Sequence, residues 1–99
     1  MTNKYSQEIL KVITDSINRY NKYRAPEAYA ELVEFKGNYF TVRFTGRILS
    51  SCCFYDYFED LKYILMDYNV STNIIEVLIS ELSDEVVVRY EVISYQVIT

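Results

Sequence analysis

Two adjacent cysteines, Cys52 and Cys53, are the side chains of this sequence best suited to covalent chemistry. They precede a predicted helix, whose positive dipole end stabilises a thiolate. The carboxylates of Asp56, Glu59 and Asp60 follow closely and favour the neutral thiol instead. Adjacent cysteines also chelate metals less well than a Cys-x-x-Cys pair. We interpret the two as buried structural residues, and a thiol-dependent redox or metal role at Cys52 and Cys53 is the third functional hypothesis.

Four carboxylates on the same predicted helix could form a metal site or an acid–base pair: Asp56, Glu59, Asp60 and Asp67. Asp56 and Asp60 are four residues apart and would share one helix face. The sequence has no histidine, the commonest general base and nitrogen ligand for metals, and no glycine-rich phosphate loop. We therefore interpret the carboxylates as a solvated helix face. The sequence predicts no catalytic residue, no metal site, no cofactor and no enzymatic activity.

A third set combines basic and aromatic side chains, as surfaces that bind single-stranded nucleic acid do. The candidate contacts are Arg19, Lys22, Tyr23, Arg24, Lys36 and Arg47. A net charge of −4 and a pI near 4.7 argue against this function, since nucleic-acid-binding domains usually carry a positive excess. Single-stranded nucleic-acid binding through the basic N-terminal half is the alternative hypothesis.

Charge is unevenly distributed along the chain. Residues 1–49 carry eight Lys and Arg against five Asp and Glu, a net charge of +3. Residues 50–99 carry two against nine, a net charge of −7. This asymmetry indicates either a dipolar surface that favours self-association or one charged partner, or an ordinary solvated surface.

Length and composition indicate one compact domain over residues 1–99. The chain is 51% apolar, with two glycines and one proline. It contains no run near the roughly 18 apolar residues of a membrane span and no signal-peptide core, so we expect a cytoplasmic protein without membrane contact. The Ile-, Tyr- and Glu-rich composition is similar to that of small proteins from thermophilic archaea or their viruses, a resemblance that carries no activity with it.

Two amphipathic helices are predicted. In residues 6–24, Ile9, Ile13, Ile17 and Tyr20 recur at helical spacing, and Pro26 ends the helix. In residues 54–69 the apolar stripe consists of Phe54, Tyr57, Phe58, Leu61, Ile64, Leu65 and Tyr68.

Residues 28–48 predict a β-hairpin that turns at 36–38, the one Gly-Asn turn signal of the sequence. On its second arm Phe40, Val42 and Phe44 share one face, and Tyr39, Thr41 and Arg43 share the other. The turn places Val33 and Phe35 on the face of Phe40.

The first arm of this hairpin alternates less regularly. Ala28, Ala30 and Leu32 have the parity opposite to that of Val33 and Phe35. Either a β-bulge near residues 31–32 reverses the alternation, which we favour, or both faces of the arm are partly covered.

Residues 73–97 predict a second hairpin that turns at Ser83 and Asp84. The implied register pairs Ile75 with Val92, Val77 with Tyr90, and Ile79 with Val88. A helix over 71–82 fits the spacing, but the β-branched run in that segment favours a strand. The opposite face of this hairpin carries Ile74, Leu78, Val87 and Ile93 and is too apolar to be left fully in water.

These elements predict an α+β fold, a two-layer αββαββ arrangement with a four-stranded antiparallel sheet and both helices on one face. At an offset of 48 residues the helix stripes and the second strands of the two halves align, and Tyr20-Asn21 matches Tyr68-Asn69. We therefore expect a pseudo-two-fold repeat of αββ units.

Helices on one face leave the other face of the sheet uncovered. The sequence therefore predicts a small protein-interaction or structural module, self-associating as a homodimer through the open sheet face or an edge strand. The predicted interaction surface consists of Tyr39, Thr41, Arg43, Ile74, Leu78, Val87 and Ile93. No feature of the sequence identifies another protein partner.

Overall fold

The computed structural model describes residues 4–47, 55–80 and 82–96, with side chains from Ser6 onward. The elements in chain order are α1 (Lys4–Arg24), β1 (Ala28–Phe35), β2 (Tyr39–Gly46), α2 (Tyr55–Asp67), β3 (Val70–Ser80) and β4 (Glu85–Tyr95). The strands form one antiparallel sheet in the order β1-β2-β4-β3. The predicted α+β class and αββαββ order are confirmed, and the segment with the helical alternative is a strand.

Both helices pack on the same face of the sheet, α1 against β1 and α2 against β3. The core between the layers is formed by apolar residues of all six elements: Ile9, Ile13, Ile17, Tyr20, Ala28, Ala30, Phe40, Val42, Phe44, Tyr57, Phe58, Leu61, Leu65, Val70, Val86, Val88 and Tyr90. The predicted helix stripes supply the helical part of this set. In the described residues, no helix is long and apolar enough to cross a membrane.

The predicted bulge of the first hairpin is present, but it lies at Val33. Leu32 pairs with Val42 and Glu34 with Thr41, so Val33 is the extra residue of β1. Our placement of Val33 on the core face was therefore wrong, because the bulge turns it outward and leaves it 52% exposed. Phe35, beyond the bulge, packs against the core as predicted.

Gly46 ends β2, where the chain leaves this hairpin beside the point at which it entered. Its φ of 117° lies in the region that favours glycine. A Cβ at this position would meet the carbonyl oxygen of Glu27 at 2.4 Å. The backbone N–H of Arg47 donates to that same carbonyl oxygen at 2.9 Å. The close approach of the two backbones therefore excludes any side chain at residue 46.

The predicted register of the second hairpin was wrong. Val77 pairs with Val88 and Ile74 with Tyr90, and Ile75 is an extra residue between them. Ile75 is consequently a 52% exposed bulge residue and does not lie in the core. The same bulge brings Ile74, which we had assigned to the open face, onto the helix side, where it packs against the core.

A third bulge lies near the end of β4. Thr72 pairs with Val92 and Ser71 with Ser94, so Ile93 is the extra residue, and it is 54% exposed. Each of the three bulges thus turns one β-branched apolar residue outward. Each also reverses the inside–outside alternation of its strand, which allows Tyr95 to pack against the core.

The two αββ halves join in the middle of the sheet. β2 pairs with β4, the second strand of each half, with Thr41 opposite Arg89. The halves differ in size, since α1 has 21 residues and α2 has 13. The strands of the first hairpin have 8 residues each, and those of the second have 11.

Candidate functional site

A groove of about 460 Å³ lies between the two helices. α1 contributes Arg19, Tyr20, Tyr23 and Arg24, and α2 contributes Asp60, Tyr63, Ile64 and Asp67. The spacings of three and four residues bring each helix's set to one side of that helix. The groove therefore combines two cations, two carboxylates, three phenols and one aliphatic side chain, with no net charge.

Arg24 is held firmly on one side of this groove. Its guanidinium forms a hydrogen-bonded ion pair with Asp60 and lies 3.8 Å from the carboxylate of Glu27. It also sits 4.7 Å from the ring centre of Tyr57, a cation–π geometry. The Tyr57 hydroxyl in turn donates to Glu27. Arg24 therefore ties α2 to the end of α1 and is already surrounded by acceptors.

Arg19 is bound more loosely. Its nearest carboxylate oxygen, on Asp67, is 3.6 Å away, and the two side chains are 41% and 62% exposed. Hydrogen bonds of the Arg19 guanidinium with Tyr23, and to a smaller extent with Tyr68, raise the pKa of Arg19 above its ordinary value. Exposed ion pairs of this kind contribute little to stability, so the pair can open at small cost.

Tyr20 forms part of the groove wall and reaches the core. Its side chain is fully buried, and its hydroxyl has no hydrogen-bond partner among the described residues. Burial raises the pKa of Tyr20 well above the usual tyrosine value. The buried hydroxyl of Tyr90, by contrast, donates to the carbonyl oxygen of Phe58 at 3.0 Å.

The sheet face away from the helices carries paired charges. Arg43 pairs with Glu31, Arg89 lies 3.5 Å from Glu76, and Arg89 also lies 5.0 Å from the ring centre of Tyr39. Within the described residues, neither helix covers this face.

Only part of the predicted interaction surface is available on this face. Leu78 is 56% exposed and pairs with the half-buried Val87, while Thr41 is only 6% exposed between its strand partners Glu34 and Arg89. Tyr39 and Arg43 are half-buried. The apolar part of the surface is therefore confined to the β3 side.

The β1 edge of the sheet is protected by a side chain. The Asn21 amide of α1 donates to the carbonyl oxygen of Ala30 at 3.0 Å and accepts the N–H of Ala30 at 2.7 Å. Both backbone groups that Ala30 would offer to a new strand are thus occupied. Two glutamates and the Val33 bulge also lie on this edge, and charges and bulges oppose edge-to-edge pairing.

The β3 edge has fewer such devices, although it also contains a bulge, at Ile75. Glu76 is the one charged residue of β3. After it comes the uncharged run from Val77 to Ser80, in which Leu78 and Ile79 point to opposite faces and are 56% and 47% exposed. Among the described residues, no side chain bonds to the outer backbone groups of β3. The apolar Leu82 beyond it is fully exposed.

The structure brings together only part of the candidate nucleic-acid surface. Arg19, Tyr23 and Arg24 meet in the groove, opposite two aspartates. Lys36 lies in the turn beside the start of α1, where a Cβ on Gly37 would come within 3.8 Å of the Ser6 hydroxyl. Lys22 and Arg47 are exposed. These basic residues therefore do not form one continuous surface.

The cysteines and carboxylates considered for redox, metal or acid–base chemistry do not form one site in the described part of the chain. Cys52 and Cys53 lie outside the described residues. Asp60 and Asp67 pair with arginines of α1, Glu59 lies 3.5 Å from Lys62, and Asp56 is exposed. In the described part of the chain, no three cysteine or carboxylate side chains come together in a group that could hold a metal ion.

Sequence reasoning missed the groove. We had placed Asp60 and Asp67 on a solvated face and Arg19 and Arg24 on a separate basic surface. The available signal was the charge asymmetry, because arginines near the end of one helix and aspartates on the other attract when the helices lie side by side. Part of the asymmetry is thus neutralised within the molecule.

Comparisons with known proteins show the fold alone. No family model matches the chain, and no curated protein does. The chain is similar to the crystal structure of the Fe(II) unliganded H-NOX protein from K. algicida, with a TM-score of 0.53 and 15% sequence identity. The match covers 99% of this chain and 52% of that one, so the chain spans about half the length of that protein.

Proposed function

We propose that this protein is a self-associating interaction module, in which two copies join through their β3 edges. Two four-stranded sheets would then form one eight-stranded sheet. The observation that carries this proposal is the uncharged run from Val77 to Ser80 on an edge strand, exposed on both faces. An added strand satisfies the free backbone groups of such an edge and buries its apolar side chains on both faces.

A second copy of this chain is the occupant that fits the edge best. A two-fold interface brings the same strand from each copy together in antiparallel orientation. With the axis at Leu78, Val77 lies opposite the second copy's Ile79, and Glu76 lies opposite its Ser80. This register pairs apolar residues with each other and avoids facing two glutamates, which would be destabilising.

The contrast with β1 supports the choice of edge. Asn21 already occupies the outward backbone groups of Ala30, and Glu31 and Glu34 would be brought close to like charges. Pairing through β1 would therefore lose two hydrogen bonds within each copy before forming new ones. In the part of the chain that the structure describes, pairing through β3 requires no side chain to release the outer backbone groups of that strand.

The test is the oligomeric state of two matched variants by analytical ultracentrifugation at micromolar concentration. Leu78→Lys places a charge on the β3 edge, and Val33→Lys places one on the β1 edge at a residue of similar exposure, 52% against 56%. We expect dimers for the wild type and for Val33→Lys, and monomers for Leu78→Lys, with unchanged circular dichroism. A monomeric wild type, or a dimer that only Val33→Lys disrupts, would overturn the proposal.

The other two hypotheses stay predictions. Single-stranded nucleic-acid binding is checked by a gel shift at low salt, and a thiol role by replacing both cysteines with serine.

A further inference from the structure

The groove between α1 and α2 is independent of the β3 edge and has the size of a small-molecule site. Its volume of about 460 Å³ lies within the range of roughly 300–1,000 Å³ usual for ligand pockets. We propose that it binds a free aromatic α-amino acid in its zwitterionic form. The argument rests on the charges of the groove, on the rings at its rim and on its wall.

The charges of the groove match a ligand that carries both signs. Arg24 and Asp60 satisfy each other, whereas the Arg19 and Asp67 side chains are 3.6 Å apart and 41% and 62% exposed, and the further hydrogen bonds of Arg19 are with the tyrosines Tyr23 and Tyr68. A carboxylate on the ligand can form a bidentate ion pair with the guanidinium of Arg19, and an adjacent ammonium can form an ion pair with the carboxylate of Asp67. A ligand of a single charge would meet one partner and one repelling group, because the groove has no net charge.

The rim of the groove matches a planar ring. Tyr23 of α1 is 71% exposed and Tyr63 of α2 is 60% exposed, and both line the groove. Exposed tyrosines on two facing helices offer ring faces for stacking, which contributes about 0.5–1.5 kcal/mol beyond burial for an aromatic pair. Ile64, partly buried between the helices, adds an aliphatic surface. A short aliphatic side chain on the ligand would reach few of these contacts.

The wall of the groove contains a further polar group. Among the groove-lining residues, only Tyr20 has a buried side-chain oxygen without a protein partner. Buried hydroxyls are normally hydrogen-bonded, so this one, on a groove-lining residue, calls for a partner such as an ordered water or a polar ligand atom.

The chain contains no tryptophan, so the fluorescence of an indole ligand reports on the ligand alone. The probes are L-tryptophan, indole-3-propionate, which lacks the ammonium, and tryptamine, which lacks the carboxylate. We expect a saturable change with L-tryptophan, and binding weaker by about tenfold or more for each of the other two, since each leaves one charge of the groove unpaired. Equal binding of all three, or no saturable change with L-tryptophan, would overturn the proposal.

Two pairs of variants locate the site. Arg19→Gln removes the groove cation that is not bonded to Asp60, and Arg43→Gln removes an arginine of similar exposure, 41% against 39%, on the sheet face away from the helices. Tyr63→Leu removes a rim ring, and Tyr29→Leu removes a ring of similar exposure from β1. We expect only the groove variants to weaken L-tryptophan binding. Unchanged binding by Arg19→Gln, or equal losses in both members of a pair, contradicts the assignment.

This binding does not depend on self-association, because one copy supplies all the lining residues. Leu78→Lys should therefore keep the wild-type affinity for L-tryptophan while it changes the oligomeric state. Failure of the dimer proposal and failure of the groove proposal are thus distinguishable.

Discussion

The two αββ halves have the same order of elements but reach it through different local chemistry. The first hairpin uses glycine at both of its positive-φ positions, Gly37 and Gly46, whereas the second half uses Asn69 and Asp84. Tyr20-Asn21 and Tyr68-Asn69 align in sequence, yet Asn21 lies inside α1 and bonds to β1, while Asn69 adopts φ 67° just after α2. The repeated architecture therefore depends on the apolar layer pattern and does not require matching turns or caps.

The largest effect is expected for the glycine in the crowded position of the first half. Gly46→Ala forces a Cβ against the carbonyl of Glu27 and should cost about 2–4 kcal/mol of unfolding free energy. Gly37→Ala also changes a positive-φ glycine, but its Cβ would make only an ordinary contact, 3.8 Å from the Ser6 hydroxyl, so about 1 kcal/mol is expected. Urea unfolding of both variants measures the difference. Equal losses would show that crowding at Glu27 does not matter.

The second test concerns the two hydrogen bonds between the Asn21 side chain and the Ala30 backbone, which are found in the first half. Asn21→Ala leaves both backbone groups of Ala30 without their side-chain partner and should destabilise the fold by about 1–3 kcal/mol. Asn18→Ala, an exposed change one turn earlier on the same helix, is the control and should be nearly neutral. Amide exchange by NMR should show faster exchange of the Ala30 N–H in Asn21→Ala only; unchanged exchange would contradict the protective role.

One buried tyrosine from each half gives the third comparison. Tyr90→Phe removes the hydrogen bond to the Phe58 carbonyl and should cost about 1–2 kcal/mol. Tyr20→Phe removes a hydroxyl that has no protein partner and should be neutral or slightly stabilising. Thermal unfolding followed by circular dichroism ranks the two variants. A greater loss for Tyr20→Phe would mean that its hydroxyl is satisfied in solution.

The same two tyrosines make the free energy of unfolding depend on pH in the alkaline range, with no effect near neutrality. Burial raises the pKa of both Tyr20 and Tyr90, so above the ordinary tyrosine pKa of about 10 the unfolded chain loses phenolic protons that the folded chain keeps. Their contribution to stability is therefore present below pH 10 and declines as the pH rises beyond it. Unfolding measured between pH 9 and pH 11 should show a shallower decline in Tyr90→Phe than in the wild type, and parallel curves would refute the linkage.

The sequence was sufficient to predict the helices, the strands and their arrangement in two layers. It was insufficient to predict which residues pair between neighbouring strands. The elements and their order could be predicted because burial of one face produces a pattern in the sequence. In α1 this pattern is the helical spacing of Ile9, Ile13 and Ile17, and in β2 it is the alternation of Phe40, Val42 and Phe44. Bulges do not appear in an alternation pattern unless the parity visibly reverses, as it does before Val33. In β3 both faces are apolar, so nothing in the sequence marked Ile75 as the extra residue, and the predicted pairing was wrong.

The groove could not be predicted for a different reason. Its residues come from two helices and are 36 or more positions apart across the groove, and their meeting depends on how the helices lie over the sheet. Each set, taken alone, has the composition of a solvated surface. Only the opposite charges of the two arginines and the two aspartates relate them, and charge attracts without specifying a partner.

The order of the strands in the sheet also has a consequence for the rate of folding. Each hairpin closes between neighbours in sequence, but the centre of the sheet joins Val42 to Val88, 46 positions away. Loop closure over that separation costs more conformational entropy than a hairpin turn, and contacts of this kind slow folding. Formation of the β2–β4 pairing is therefore expected to be the slow step of folding.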